Sequence, residues 1–338
     1  MTSIGLGMAR ALVTGATGFV GRHLAKRLIA DGQQVVCLVR DCDRAATILP
    51  SSCELVRGSL SEPSTLECAI QECDSVYHLA GATKALRTKT LFEVNQVGTR
   101  HLLTACKEME SPPVTVVVSS LAAAGPSQGK DGRTEADPTC PVSNYGKSKL
   151  QGEHEAFEFR HDIPLTIVRP PIVLGPGDRD GLELFRSVAK LGVHFVPGLQ
   201  PTYVSWIFVN DLVDALVYAR DHGQRLDDDG NGIYFVAGEE SVPYADLGEL
   251  IGEVLDAKTR IVRNPSPAVW AIAAISELRT VITRRPNIMS FDKAREATAG
   301  SWTCNASRFC LDTKFEARTK LRDGLRETAD WYREQGWL

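Results

Sequence analysis

Residues Thr14 to Gly21, reading Thr-Gly-Ala-Thr-Gly-Phe-Val-Gly, constrain this chain more than any other stretch. The apolar segment Ala11-Leu12-Val13 precedes them and has the composition of a buried strand. Arg22 to Ala30 follows, with apolar residues at helical spacing. Strand, glycine turn and helix in that order are the context a dinucleotide-binding fingerprint needs. There Gly15 permits the tight turn, Gly18 removes a side chain where backbone approaches a pyrophosphate, and Gly21 lets the helix pack closely on the strand. The helix then aims its free N–H groups and positive dipole end at the phosphates. The spacing, Gly-x-x-Gly-x-x-Gly, is one residue longer at its start than the usual form.

The alternation continues downstream. Gln34–Val39 is a second apolar run that ends at Arg40. An acidic residue here would bind the ribose 2′-hydroxyl of NAD, whereas an arginine pairs with a 2′-phosphate, so Arg40 points to NADP with NAD less favoured. Residues 54–58, 75–81, 115–118 and 164–169 read as further strands, and residues 64–72, 90–108 and 143–160 as helices. Leu91, Val94, Val97, Leu102 and Ala105 form the expected inner face of the second of these helices, with Asn95 within it. Strand–helix alternation over roughly 120 residues predicts an α/β fold with a doubly wound parallel sheet. In the later part, 181–191 reads as a helix and 206–209 as a short strand, with Asn210 or Asp211 capping helix 212–221. Residues 232–238 form another strand, and Pro243 opens a helix at its first position. Residues 267–281 form an apolar helix too short to cross a bilayer, a core or lid element, and 318–335 a C-terminal helix.

Composition narrows the class. Of 338 residues, 43% are hydrophobic and 24% charged, the globular norm. Net charge is −4 with no basic run of five, which argues against nucleic acid or an anionic membrane as partner. The longest uncharged stretch, Ser111 to Gly129, is broken by Pro112, Pro113, Gly125 and Pro126, so no membrane span is predicted. Nine cysteines without a C-x-x-C pair, behind an N-terminus that is no secretion signal, predict reduced thiols and a cytoplasmic location. The seven histidines show no metal spacing, so no metal site is predicted. Met8 is a candidate start, with residues 1–7 a loose extension.

Three chemical groups converge. Ser119 and Ser120 follow the fifth strand at its carboxyl end, where open α/β sheets bind ligands. Tyr145 and Lys149 lie four apart on one helix face. A phenol titrates too high to exchange protons readily at neutral pH, and a nearby ammonium lowers it. Tyr145 is therefore the expected acid/base, Lys149 its partner and holder of the nicotinamide ribose, and Ser120 the hydroxyl that polarises a substrate C–O, with Ser119 an adjacent alternative.

These motifs, together with HLAG at 78–81, VNQVGT around Asn95, YGKSK at 145–149, RPPIVLGPGD at 169–178 and WIFVNDLVDAL at 206–216, resemble the extended short-chain dehydrogenase/reductase superfamily. Within it the pattern is most similar to dihydroflavonol-reductase-like and 3β-hydroxysteroid-dehydrogenase-like members. The resemblance implies a Rossmann-type sheet with a smaller C-terminal substrate-binding domain. NADP-binding residues would be 8–175 plus about 203–237, and substrate-binding residues about 176–202 and 238–338. It places Gly15, Thr17, Gly18, Phe19 and Val20 along the pyrophosphate, Arg40 at the 2′-phosphate, and Leu79, Ala80 and Gly81 against the cofactor. Ser59, Leu60, Pro170 and Val173 complete the implied cofactor contacts, although Ser59 stands where the family usually has Asp. Ser120-Leu121-Ala122 lacks the second acid/base of the dehydratases. Ile172 and Val204 stand near positions where nucleotide-sugar epimerases often carry Asn and Arg, and an apolar pocket cannot compensate a diphosphate. The expected function is thus NADP(H)-dependent interconversion of a ketone and a secondary alcohol on an uncharged, fairly apolar small molecule. An NAD-dependent nucleotide-sugar epimerase and, more remotely, a non-catalytic dinucleotide sensor are the rivals. Pairing through two helices, common in this branch, would make a homodimer.

Overall fold

The computed structural model describes residues 8–283 and 290–338; residues 1–7, read above as an extension, lie outside the described residues. Strands β1 (Arg10–Thr14), β2 (Gln34–Val39), β3 (Glu54–Arg57), β4 (Ser75–His78), β5 (Val114–Val118) and β6 (Leu165–Arg169) follow the expected order. Beyond them come β7 (Ile172–Leu174), β8 (Val193–Pro197), β9 (Tyr203–Val204), β10 (Trp206–Phe208), β11 (Ile233–Phe235), β12 (Val242–Pro243) and β13 (Arg260–Asn264). Among the described residues, seven strands form one sheet in the order β11-β6-β5-β4-β1-β2-β3, and every pairing is parallel.

Parallel strands need crossover helices, which cover both faces and make the strands continuously apolar. Ala11, Leu12 and Val13 of β1 are fully buried. The helices are α1 (Phe19–Ala30), α2 (Cys42–Ala46), α3 (Pro63–Ile70), α4 (Thr88–Phe92), α5 (Gly98–Lys107), α6 (Leu121–Ala124) and α7 (Asn144–Glu158). After these come α8 (Leu182–Leu191), α9 (Val209–His222), α10 (Tyr244–Leu255), α11 (Ser266–Thr283), α12 (Phe291–Thr298), α13 (Ser307–Thr313) and α14 (Leu321–Glu334). Leu24 and Leu28 of α1 share one core with Leu212 and Leu216 of α9. On the other face Leu66 and Ile70 of α3 meet Leu102 and Leu103 of α5. A third core joins α8, β10, α10 and α14 through Phe185, Trp206, Phe208, Ile251 and Tyr332.

Several local expectations are corrected. The helix expected over 90–108 is interrupted by a π turn at Glu93–Val97. The extra residue per turn rotates the following side chains, so Val97 is 41% exposed and Asn95 is buried instead. Neither Asn210 nor Asp211 caps the next helix, because β10 runs directly into α9 and Phe208 is its N-cap residue. Buried Asp211 instead accepts the N–H groups of Arg318 (3.1 Å) and Thr319 (3.0 Å), pinning the approach to α14. Pro243 is the N-cap residue of α10 rather than its first helical residue. Among the described residues of α11, Val269 and Ala273 are buried, whereas Ile272 and Ile275 are exposed. Among the described residues no helix is long and apolar enough to cross a membrane.

The turn after β1 shows why glycine is required there. Gly15 has φ +72°, and a Cβ would lie 2.6 Å from the Ala80 nitrogen. Gly32 has a similar φ of +78° but nothing within 4 Å. Gly32→Ala should therefore cost only the left-handed strain, about 1 kcal/mol, while Gly15→Ala should cost at least about 2 kcal/mol more because backbone must move. Urea unfolding of the two variants measures this; equal losses would show that the crowding at Ala80 is not felt.

Candidate active site

Because all seven strands run the same way, their carboxyl ends share one edge. It gathers the turn after β1, Leu79–Gly81 after β4, Ser119 and Ser120 after β5, and the start of β7 after β6. Gly18 is the N-cap residue of α1 with extended backbone and no side-chain cap, so first-turn N–H groups remain free for an anion. Thr17 and Gly18 are exposed, Phe19 and Val20 partly buried. Arg40 is exposed just beyond β2. The Ser59 hydroxyl bonds that of Ser61 at 2.9 Å, and Leu60 packs against Gly98 while its carbonyl accepts His101 Nδ1–H at 2.8 Å. Val173 is partly buried; Pro170 is buried, and its carbonyl accepts the Leu121 N–H at 2.8 Å. Ile172 is 36% exposed and Val204 is buried.

Ser120 and Tyr145 are brought together. Ser120 caps α6, accepting the Ala122 N–H at 3.1 Å, and its hydroxyl faces the Tyr145 phenol, where it favours the ionised form. Gly146 makes this contact possible: a Cβ there would lie 2.3 Å from the Ala122 carbonyl oxygen, so α6 and α7 could not close. Ser119 is otherwise engaged, buried and donating to Glu153. Glu153 is gripped by Arg169 in a buried fork, Nε to Oε1 at 2.9 Å and Nη2 to Oε2 at 2.5 Å. The fork ties the ends of β5 and β6 to α7.

Lys149 is buried, and its ammonium donates to the Val118 carbonyl at 2.7 Å. Gly81 lies alongside, where a Cβ would stand 3.2 Å from Asn95 Oδ1 and 3.7 Å from Lys149 Nζ. Asn95 is held on every side: Oδ1 accepts the Ala82 N–H at 2.8 Å, and Nδ2 donates to the Ala82 carbonyl (2.9 Å) and Ser148 Oγ (2.8 Å). Beneath runs a chain of hydrogen bonds whose direction is determined at both ends. Ala80 N–H donates to Thr14 Oγ1 (3.2 Å), and Thr99 Oγ1 donates to the Asn95 carbonyl (2.8 Å). Thr14 therefore donates to His78 Nδ1 (2.8 Å) and His78 Nε2–H to Thr99 (3.0 Å). Burial, with the Lys149 charge, pushes His78 down to about 3, so it stays neutral.

The electrostatics differ from the expectation in one respect. The Tyr145 phenol is raised, not lowered. Burial dominates, and the Ser120 hydroxyl and the charge of Lys293 only partly oppose it. Lys293 sits on α12 with Glu296 at 2.8 Å, and Asp180, paired to Lys84 at 2.5 Å, faces the same phenol. Sequence reasoning missed these four residues, because nothing local links them to Tyr145. Glu153, one helical turn beyond Lys149, carried a visible i, i+4 signal.

Burial also pushes the Lys149 ammonium down from its ordinary 10.5 to about 8, with Glu153 opposing. Between those pH values the unfolded chain binds more protons than the folded one, so stability rises with pH. Relative to Lys149→Met, the unmodified protein should gain up to about 3 kcal/mol between the two values. Urea unfolding at a series of pH values reads this, and parallel curves for the two proteins would contradict the burial of a charged Lys149.

Residues 11–237 match the NAD dependent epimerase/dehydratase family, and the chain belongs to that family. It is an enzyme of the oxidoreductase and epimerase kind, as its relatives are. It is 31% identical to ceramide reductase of Caulobacter vibrioides over 330 residues, covering 96% of this chain and 95% of that one. It is 25% identical to sterol demethylase protein B of Methylococcus capsulatus, covering 97% and 99%. Among solved structures it is similar to MoeE5 in complex with UDP-glucose and NAD, at 25% identity and a TM-score of 0.74, covering 97% and 99%.

Proposed function

We propose that this chain is an NADP(H)-dependent oxidoreductase interconverting a ketone and a secondary alcohol on an uncharged, largely apolar small molecule. The observation that carries the reading is that the Ser120 hydroxyl and the Tyr145 phenol face each other at the sheet edge that also presents the glycine turn. The residues suit a dinucleotide. The open N–H groups of α1 suit the pyrophosphate, and the side-chain-free space over Gly81, between Asn95 and Lys149, suits a flat ring and its ribose. Exposed Arg40 suits a 2′-phosphate. The bound cofactor would supply or accept the hydride. Tyr145 gives a proton to the substrate oxygen as a ketone is reduced, and takes it back in the reverse direction. Ser120 donates to the same oxygen and holds it in register with the phenol. Lys149, fastened to Val118, holds the ribose. Residues 176–202 and 238–338 supply the substrate side; their Asp180, Lys293 and Glu296, with Lys84 from the nucleotide side, sum to zero charge, which suits a neutral polar group on the substrate. The names ceramide reductase and sterol demethylase protein B, borne by two relatives, favour an extended apolar molecule.

The NAD and UDP-glucose held by MoeE5 favour a second reading, an NAD-dependent sugar-nucleotide epimerase. Such an enzyme keeps its cofactor between half-reactions, so tightly retained NAD in purified protein would support it, and exchangeable NADPH the reductase. An NADPH-oxidation screen over long-chain ketones, steroids and flavonoids tests the main reading. On any substrate so found, Tyr145→Phe should lower kcat by at least about 100-fold while NADPH affinity stays near normal; retained turnover would refute the assignment. Arg40→Asp should move the NADP/NAD preference towards NAD, and an unchanged ratio of kcat/KM values would remove Arg40 from the site.

A further inference from the structure

α12 comes from far along the chain to sit on the first turn of α7. The Asp292 carboxylate accepts the N–H groups of Asn144 (2.9 Å) and Tyr145 (3.1 Å), while Ser143 Oγ accepts that of Gly146 (2.9 Å). Two of the free N–H groups at this helix start are thus satisfied from a residue some 147 positions away. α12 has its own cap, Ser290 Oγ accepting the Lys293 N–H at 3.3 Å. Its far end is anchored where the Glu296 carbonyl accepts Trp302 Nε1–H at 2.9 Å. Lys293 follows directly after Asp292, and its ammonium bonds Glu296 Oε2 at 2.8 Å.

Among the described residues, the charges that act most strongly on the phenol come from separate elements. From α12 there are Lys293 and Glu296, with Asp292 committed to the helix N–H groups and to Arg295 at 3.2 Å. From the segment before α8 there is Asp180, paired with Lys84. From α6 there is only the neutral Ser120 hydroxyl, and on α7 the Lys149 ammonium is turned to the Val118 carbonyl. Two carboxylates therefore face Tyr145, and among the described residues Lys293 is the cation on the same side as Glu296. Negative charge on the phenol oxygen would be opposed by both carboxylates if that ammonium were absent.

We propose that Lys293 is a positioning residue of the active site: its ammonium, held in front of Tyr145 by the docking of α12 on α7, offsets Glu296 and Asp180 so that negative charge can develop on the phenol oxygen. The proposal rests on the reading of Tyr145 as the group that moves the proton. It gives α12 a task beyond capping the start of α7. The substrate side of the fold, not the nucleotide side alone, sets how readily Tyr145 ionises.

Lys293 is 45% exposed at its side chain and contributes only its backbone N–H to the cap, so its replacement leaves α12 docked through Asp292. The full chain saturated with NADP is titrated by the ultraviolet absorbance of tyrosinate, with Tyr145→Phe identifying the band of Tyr145. Lys293→Met should move the Tyr145 midpoint up by about one pH unit or more. Lys293→Arg should leave it in place. Lys293→Met combined with Glu296→Gln should bring it most of the way back, which a merely structural role would not do. NADP affinity should be the same in the unmodified protein and the three Lys293 variants. A midpoint unmoved by Lys293→Met, a double variant shifted as far as the single one, or a Tyr145 that never ionises before alkaline unfolding would overturn the proposal. The titration needs no substrate, so a shift found in a protein that oxidises no NADPH would uphold the electrostatic role and count against the activity alone.

Discussion

Everything at the candidate site depends on β1 lying between two parallel neighbours, β2 and β4. Thr14 stands opposite Leu38 on one side and His78 on the other, so the strand order reverses there and the loops leaving β1 and β4 part towards opposite faces. The crevice this opens holds the glycine turn and the Leu79–Gly81 segment side by side. The crowding of Gly15 against Ala80 is a direct result of that adjacency. β5 and β6, next in the sheet, then present Ser120 and the start of β7 at the same edge.

Holding polar side chains at such an edge requires that those turned inward be paired. Ser119, Glu153 and Arg169 form one buried unit, and Thr14, His78, Thr99 and Asn95 another. An ion pair as buried as Glu153–Arg169 gains little net stability, since desolvation offsets its attraction. Its effect is geometric: it joins the ends of two strands to the helix that carries Tyr145 and Lys149. The histidine chain similarly leaves one tautomer and one orientation for each member, which keeps Asn95 and Gly81 in register with Lys149.

Much of this was legible in the residues. Period and composition marked the strands, and β2 was expected over the residues it occupies, because a strand covered on both faces is apolar throughout. That a hydroxyl after β5 would come near Tyr145 followed from placing a strand end and a helix start at one sheet edge. Failures came where a local rule met a distant partner. The inner face read through Val97 assumed an unbroken helical period, and a π turn that seats Asn95 against Ala82 and Ser148 shifted it. Asp211 looked like a cap, but its carboxylate serves backbone more than 100 positions later. Tyr145 was expected to be acidified by Lys149, yet burial outweighs the nearby charges.

The chain's own order of residues determined the sheet, the glycine turn, the arginine after the second strand and the helix bearing Tyr145 and Lys149, since each depends on contacts within a few residues or on a simple period. Only the tertiary structure decided which serine meets the phenol, which way the Lys149 ammonium turns, and that Asp292, Lys293, Glu296 and Asp180 surround Tyr145. Those outcomes depend on electrostatic and packing contacts between segments far apart in sequence, and such contacts leave no period or spacing to read.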